Sequence, residues 1–398
     1  MVMTGRSFSA VCGLDTLRPR LAEVRRSARS PAGGLLFLSG ALTQQLPAVT
    51  ELVRDVWKGI PTCVVPAAGV LSERGEIESE AAASGLLWEG GRSLAFAAQP
   101  GALGAAVAEV LAPASPPSAA GAVGARGGPR AGTMLVFARP DALGAEHLGA
   151  LVAAAPGSCI FGAGTVGASP RAISAAGEIL EAPVAGLALM GLSLPLLEAC
   201  GGCRLLSAFH SIDEVTDGGL VLSAGGKPAL ELLSSCTAHI RRRGTPDPAE
   251  PAPVVLAALA DPGTESDEAP RYVVRPVRGI DPSRRALLIG DAARPGVRLA
   301  FAVRDAAAAR TELAAAAQRA ARGTLGAAPR FALYLSCAGR GQNLHGAPDV
   351  EARILKQRFG DLPIAGMHSA FEIIPWAGGD DIRIALYTGV LALFRAPS

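Results

Sequence analysis

Four side chains able to do chemistry stand where two apolar runs give way to glycine. Cys337 and Arg340 lie in Ser336-Cys337-Ala338-Gly339-Arg340-Gly341, and His368 and Glu372 follow the exit Pro363-Ile364-Ala365-Gly366. A guanidinium carries a planar fork that grips a carboxylate with two parallel bonds. Buried, it needs an anionic partner, which here is either Glu372 or a ligand carboxylate. A thiol beside a guanidinium is expected to have a lowered pKa and to be reactive. With Cys337 as nucleophile, His368 as base and Glu372 as orienting carboxylate, the set would support acyl or thiol transfer. The competing readings are a buried, inert strand-end cysteine and an isolated, satisfied histidine. Gly339 and Gly341 let the backbone turn tightly and approach a ligand closely.

These groups need two neighbouring strands to hold them. Phe331, Leu333 and Leu335 alternate with Ala332 and Tyr334, the period of a buried or half-buried strand that ends at Ser336. Leu362–Ala365 reads as a second strand, reached through a helix over Val350–Phe359. Parallel sheets place ligands at the carboxyl ends of such strands, so residues 336–341 and 366–372 are expected to share one cleft. The same strand–helix–strand–glycine unit recurs near residues 34–72 and 133–168, which predicts an α/β fold of duplicated halves, with mixed sheets covered by helices. Hairpins are expected at 85–98, around Glu89-Gly90-Gly91, and at 382–394. Residues 112–132 read as a flexible loop rich in Pro, Ala, Gly and Ser. The polar, Pro-rich stretch 241–253 reads as a linker between domains at 1–240 and 254–398.

Composition narrows the function. Lys and Arg number 37 against 35 for Asp and Glu, so no net field favours nucleic acid or an anionic membrane. The apolar run nearest a membrane span, 185–197, is broken by Gly191 and Pro195. No apolar leader follows the basic residues near the N-terminus. Seven cysteines spread along the chain do not form a disulfide framework, and the expected compartment is the cytoplasm.

Other motifs carry less. Gly162-Ala163-Gly164-Thr165-Val166-Gly167 fits a dinucleotide fingerprint in spacing, but Pro170 breaks the helix that must follow, and no acid closes the next strand. Cys200 and Cys203 have metal-pair spacing without a second pair of ligands. His147, His239 and His345 have no clustered partners in sequence, and His210, near Ser211 and Asp213, is too loosely spaced for a triad. No cofactor and no metal are expected.

The order of several short motifs resembles the FIST family, sensory domains of bacterial signal-transduction proteins and animal F-box proteins. The resemblance runs through Thr62–Ser72 with Glu76-Ile77-Glu78, Gly202-Cys203-Arg204, Val215-Thr216, Arg278–Asp281, the Cys-x-x-Arg-Gly turn, the Pro-x-x-Gly exit and Tyr387-Thr388. Phe371 stands before Glu372, where the family usually has glycine. The resemblance implies a FIST N part, a FIST C part and a small-molecule ligand, an amino acid or other small carboxylate. Arg340 and backbone N–H groups would hold the carboxylate, and Glu372 would accept an amino group. His368, Ser369, Tyr387 and Thr388 would line the pocket, with Gly69 and Glu76 nearby. The alternatives are the cysteine-dependent enzyme and an interaction module without ligand. A separate signalling protein would carry the output.

Overall fold

The computed structural model describes residues 4–112, 132–216, 218–242, 254–262, 271–290, 292–324, 327–376 and 381–395. The expected loop at 112–132 and the linker at 241–253 fall almost wholly outside the described residues. The chain forms two compact units, one of residues 1–201 with 310–398 and one of residues 202–309. They divide the chain elsewhere than at 241–253.

The larger unit contains three six-stranded mixed sheets of the same plan, in keeping with the α/β expectation. The first runs 5–11, 82–89, 31–39, 62–66, 171–173, 179–181. The second runs 92–98, 184–190, 133–138, 159–164, 372–376, 381–385, and the third runs 196–201, 388–395, 329–337, 364–369, 69–72, 75–78. In each, the two middle strands are parallel and all other pairings are antiparallel. The parallel pairs are the three units visible in the sequence. Their strands are buried along nearly their whole length, as strands covered on both faces must be.

What the sequence does not announce is an exchange. The hairpin that follows the first parallel pair, 69–78, completes the third sheet. The hairpin after the second pair, 171–181, completes the first sheet, and the hairpin after the third, 372–385, completes the second. The expected hairpins at 85–98 and 382–394 are therefore not formed. Ala82–Glu89 pairs with Pro31–Ser39 while Arg92–Ala98 pairs with Val184–Met190. Likewise, Asp381–Ala385 and Thr388–Arg395 enter different sheets. A glycine-marked turn between two apolar runs signals a chain reversal, but it does not say whether the second run stays in the same sheet.

Helices seal one face of each sheet. Leu17, Leu21 and Val24 with Val49 and Val53 pack on Leu36, Leu38 and Val64 of the first. Leu103, Val107, Leu148 and Leu151 cover the second. Leu313, Ala316, Ala317, Ala320 and Leu355 cover Ala332, Tyr334 and Leu391 of the third. Aromatic pairs join the sheets on their other faces: Phe37 meets Phe137 edge-on at 5.9 Å, and Trp88 stacks on Phe331 at 6.0 Å.

The smaller unit is one nine-stranded sheet with the helix Ala229–Arg242. No helix among the described residues is long and apolar enough to cross a membrane.

Candidate functional site

The third sheet carries a row of facing residues across all six strands: Cys200, Gly389, Ser336, His368, Gly69 and Glu78. Residues paired in register point to the same face, while consecutive residues point to opposite faces. Ser336 and His368 therefore share one face, and Cys337 and Ser369 share the other. The expected cleft is split by its own strands.

On the Ser336 face lies a buried ionic cluster. Arg340 is 0% exposed, and its partner is neither Glu372 nor a free site but Glu351, also 0% exposed. Nε and Nη2 both reach Oε1 of Glu351, at 2.8 and 2.7 Å. Oε2 of Glu351 accepts the Tyr334 hydroxyl at 2.9 Å and the Ser336 hydroxyl at 2.6 Å. Nε2 of His345 lies 3.2 Å from Oε1. Arg340 Nη1 also reaches the Cys200 carbonyl at 3.3 Å. Burial alone would push the Glu351 carboxyl up. The Arg340 charge, with the His345 and Ser336 hydrogen bonds, holds it well below the usual carboxylate range instead.

Helix Val350–Phe359 positions Glu351. Its N-terminus is tied to the hairpin 69–78: the Ala352 N–H donates to Glu76 Oε1 at 2.8 Å, and the Glu76 N–H donates to Asp349 Oδ1 at 2.7 Å. An acceptor at this place satisfies a helix N–H that has no intrahelical partner. Glu351 is not singled out by the sequence, and His345, Cys200 and Tyr334, read there as an unclustered histidine, a lone cysteine pair and a strand residue, join this cluster only in the fold. Glu351 sits two residues after Asp349 at a helix start, which reads as a capping position; its burial is decided by the fold.

The Cys337 face differs. Ser369 Oγ donates to Glu372 Oε1 at 2.6 Å, whereas Glu372 Oε2, in a residue 0% exposed, has no hydrogen-bond partner. Burial pushes the Glu372 carboxyl well above the usual range, only partly offset by the Ser369 hydroxyl, the Arg340 charge and the Thr388 backbone N–H. The Cys337 thiol is pushed up to about 12, by burial first and then by the Glu372 charge. This corrects the expectation of a lowered thiol pKa: the Arg340 charge is already balanced by Glu351. His368 points toward Glu76 and Glu78 on the other face, so the relay of Cys337, His368 and Glu372 is not assembled.

The remaining expected residues divide by role. Gly366 is a packing position, where a Cβ would meet the Tyr334 carbonyl. Gly341 makes room for the Glu78 carboxylate, and Gly339 for the Tyr387 ring, 2.8 Å from where a Cβ would stand. Tyr387 has φ 55°, a left-handed conformation that costs a non-glycine residue energy and is concentrated at functional sites. Thr388 donates its hydroxyl to the Leu386 carbonyl at 3.1 Å. Gly162 and Gly164 pack against Val136 and Phe371, and the next element after Gly167 is a strand, so the dinucleotide fingerprint has no helix. Two pockets lie elsewhere, one of about 500 Å³ beside Lys227, Arg284 and Arg285 and one of about 380 Å³ beside Arg6, Arg20 and Glu73.

Comparison with known proteins agrees with the resemblance. Uncharacterized protein Mb0898c of Mycobacterium bovis is 32% identical over 221 residues, 54% of each chain, so this chain spans about half the length of that relative. Uncharacterized protein MT0656 of Mycobacterium tuberculosis is 30% identical over 269 residues, 65% of this chain and 66% of the relative. The family model of the FIST C domain matches residues 229–375, a span that holds Arg340, Glu351, His368 and Glu372. Residues 229–375 of this chain are thus similar to the FIST C domain.

Proposed function

We propose that this protein is a cytoplasmic sensor that binds a small molecule carrying an amino group, an amino acid or a related amine, on the Cys337 face of the third sheet. The observation that carries this reading is Glu372. A buried carboxylate kept for structure has its oxygens satisfied, and leaving one bare costs about 1–3 kcal/mol. Glu372 Oε2 is bare while Ser369 holds the other oxygen in place. An ammonium group is the natural partner, because its charge relieves the penalty that burial imposes on the carboxylate.

The Arg340 guanidinium is engaged by Glu351, so it is not the carboxylate clamp of this ligand. A ligand carboxylate would be met by backbone N–H groups around the turn 337–341. The strained Tyr387, packed on Gly339, borders that turn. The upstream residues supply the FIST N part, and a separate signalling protein takes the output. None of the seven cysteines is in a disulfide, which suits a reducing compartment.

Thermal melting of the whole chain against amino acids, small amines and small carboxylates tests the proposal. A ligand at a hundred times its Kd adds about 2.7 kcal/mol of stability. An amine-bearing ligand should raise the Tm, and Glu372→Gln should remove that rise. A rise produced equally well by carboxylates without an amine, and unaffected by Glu372→Gln, overturns the reading.

A further inference from the structure

The row across the third sheet brings together a second set of groups, on the Ser336 face and apart from Glu372. His368 and Glu78 stand on either side of Gly69 in register. A Cβ at Gly69 would lie 2.8 Å from the His368 ring and 3.1 Å from the Glu78 side chain. Only a residue without a side chain lets these two meet across the middle strand. Glu76, two residues before Glu78 on the same strand, points to the same face. One ligand atom from each of Glu76, Glu78 and His368 can be chosen so that all three lie within 4.8 Å of one another.

Each carboxylate has one oxygen fixed by a backbone amide. Glu76 Oε1 accepts from Ala352 N–H and Glu78 Oε1 from Gln342 N–H, both at 2.8 Å. Glu76 Oε2 lies 3.4 Å from His368 Nε2, and Glu78 Oε1 lies 4.0 Å from it. His368 is 1% exposed, and neither of its ring nitrogens has a hydrogen-bond partner. An imidazolium donates from both nitrogens and a neutral ring donates from one and accepts at the other; here Nε2 has only the long 3.4 Å approach of Glu76, so a buried ring is left without a well-formed hydrogen bond. The 3.4 Å gap is close to the ~3.3 Å between neighbouring ligands of a tetrahedral ion with bonds of about 2.0 Å.

We infer that Glu76, Glu78 and His368 form a binding site for one divalent metal ion of the zinc or manganese class. His368 Nε2 and one oxygen of each glutamate are the donors, and a further coordination position remains open to a small ligand. The backbone amides on the glutamates hold the carboxylates in place, as outer partners of metal ligands do. Two carboxylates meeting at one buried imidazole need a positive charge between them, and the ion supplies it. Two of the donors come from the hairpin 69–78 and the third from Ile364–Ser369, so the ion would bind across the junction made by the strand exchange. For the same reason no contiguous metal motif exists in the sequence.

The test uses the whole chain, treated with a chelator, dialysed, and titrated with Zn²⁺ and with Mn²⁺ at pH 7.5, with bound metal counted after gel filtration. One equivalent should be retained, with a saturable rise in Tm. Losing an outer partner typically weakens a metal site by about 10–100-fold, so His368→Gln, which removes a ligand, should exceed that range. Glu78 is partly exposed and is the gentler change: Glu78→Gln should keep the metal-free melting point within 2–3 °C and still weaken binding at least ~10-fold. Lowering the pH to 5.5 should release the ion as a proton takes His368. Glu372→Gln should leave the metal count unchanged, which separates this site from the amine site. Wild-type protein that retains no more metal than His368→Gln overturns the inference, and the three side chains are then an ion pair of one imidazolium with two carboxylates.

Discussion

Glu351 and Glu372 are both fully buried carboxylates at the same end of one parallel strand pair, yet they sit in opposite electrostatic states. Glu351 has both oxygens engaged, by a guanidinium, an imidazole and two hydroxyls, and it is held ionised. Glu372 has one hydroxyl within hydrogen-bond distance and only a weak approach of the Thr388 backbone N–H, its Oε2 makes no well-formed hydrogen bond, and burial drives it toward the neutral acid. The difference follows from one residue step along the strand. Ser336 faces helix Val350–Phe359, which brings a carboxylate to the arginine; Cys337 faces away from it. A saturated cluster stabilises a fold, whereas an unsaturated one costs stability and is kept where something binds.

The largest test of this contrast is Arg340→Ala. It leaves Glu351 buried without its cation and should lower the stability of the ligand-free protein by about 3–5 kcal/mol in denaturant titration. A ligand clamp would instead lose affinity with its apo stability intact, and that outcome would remove Arg340 from the structural cluster. The pH dependence has a fixed sign. The Glu351 pKa is depressed on folding, so its stabilisation is present above about pH 4.3, the unfolded value, and is lost as pH falls through the folded value. Glu351→Gln should flatten that acid limb.

Next in size is Gly69→Ala, which places a methyl group against the His368 ring and, at 3.0 Å, the Ile77 carbonyl. Overpacking of this kind costs about 1–3 kcal/mol, and the same change should push His368 away from Glu78. A variant that melts like wild type would mean that the three strands yield easily and that their spacing is not set by Gly69.

Glu372→Gln should act in the opposite direction from Arg340→Ala. The Glu372 pKa is raised on folding, so the penalty is absent below about pH 4.3 and grows as pH rises toward the folded value. The variant should gain stability near neutral pH, because it removes the burial penalty that the ionised carboxylate carries there. Melting wild type and variant from pH 4 to pH 8 should show the two curves diverging as pH rises; parallel curves would place a partner on the carboxylate. The smallest effect concerns Cys337. With its thiol pushed up to about 12, it should react with iodoacetamide more slowly than the half-buried Cys159 until the protein is denatured. Fast native labelling of Cys337 would reopen the nucleophile reading.

Strand–turn–strand units could be read in the chain because period-two alternation and glycine placement are local properties. Phe331–Leu335 ending at Ser336-Cys337 and the exit at Gly366 were legible in this way, as were the three repeats; of the FIST resemblance, the FIST C match covers the part within 229–375. Alternation reports that a residue is buried but not against which sheet. Hence the runs at 85–98 and 382–394 read as hairpins although their strands part company. The partner of Arg340 was equally out of reach: Glu351 is near in sequence, but only the packing of helix Val350–Phe359 on Tyr334 and Leu391 turns it inward. Glu76, Glu78 and His368 meet because the exchanged hairpin pairs with Ile364–Ser369. Long-range strand pairing is set by the total burial of the fold, and no window of sequence contains that quantity.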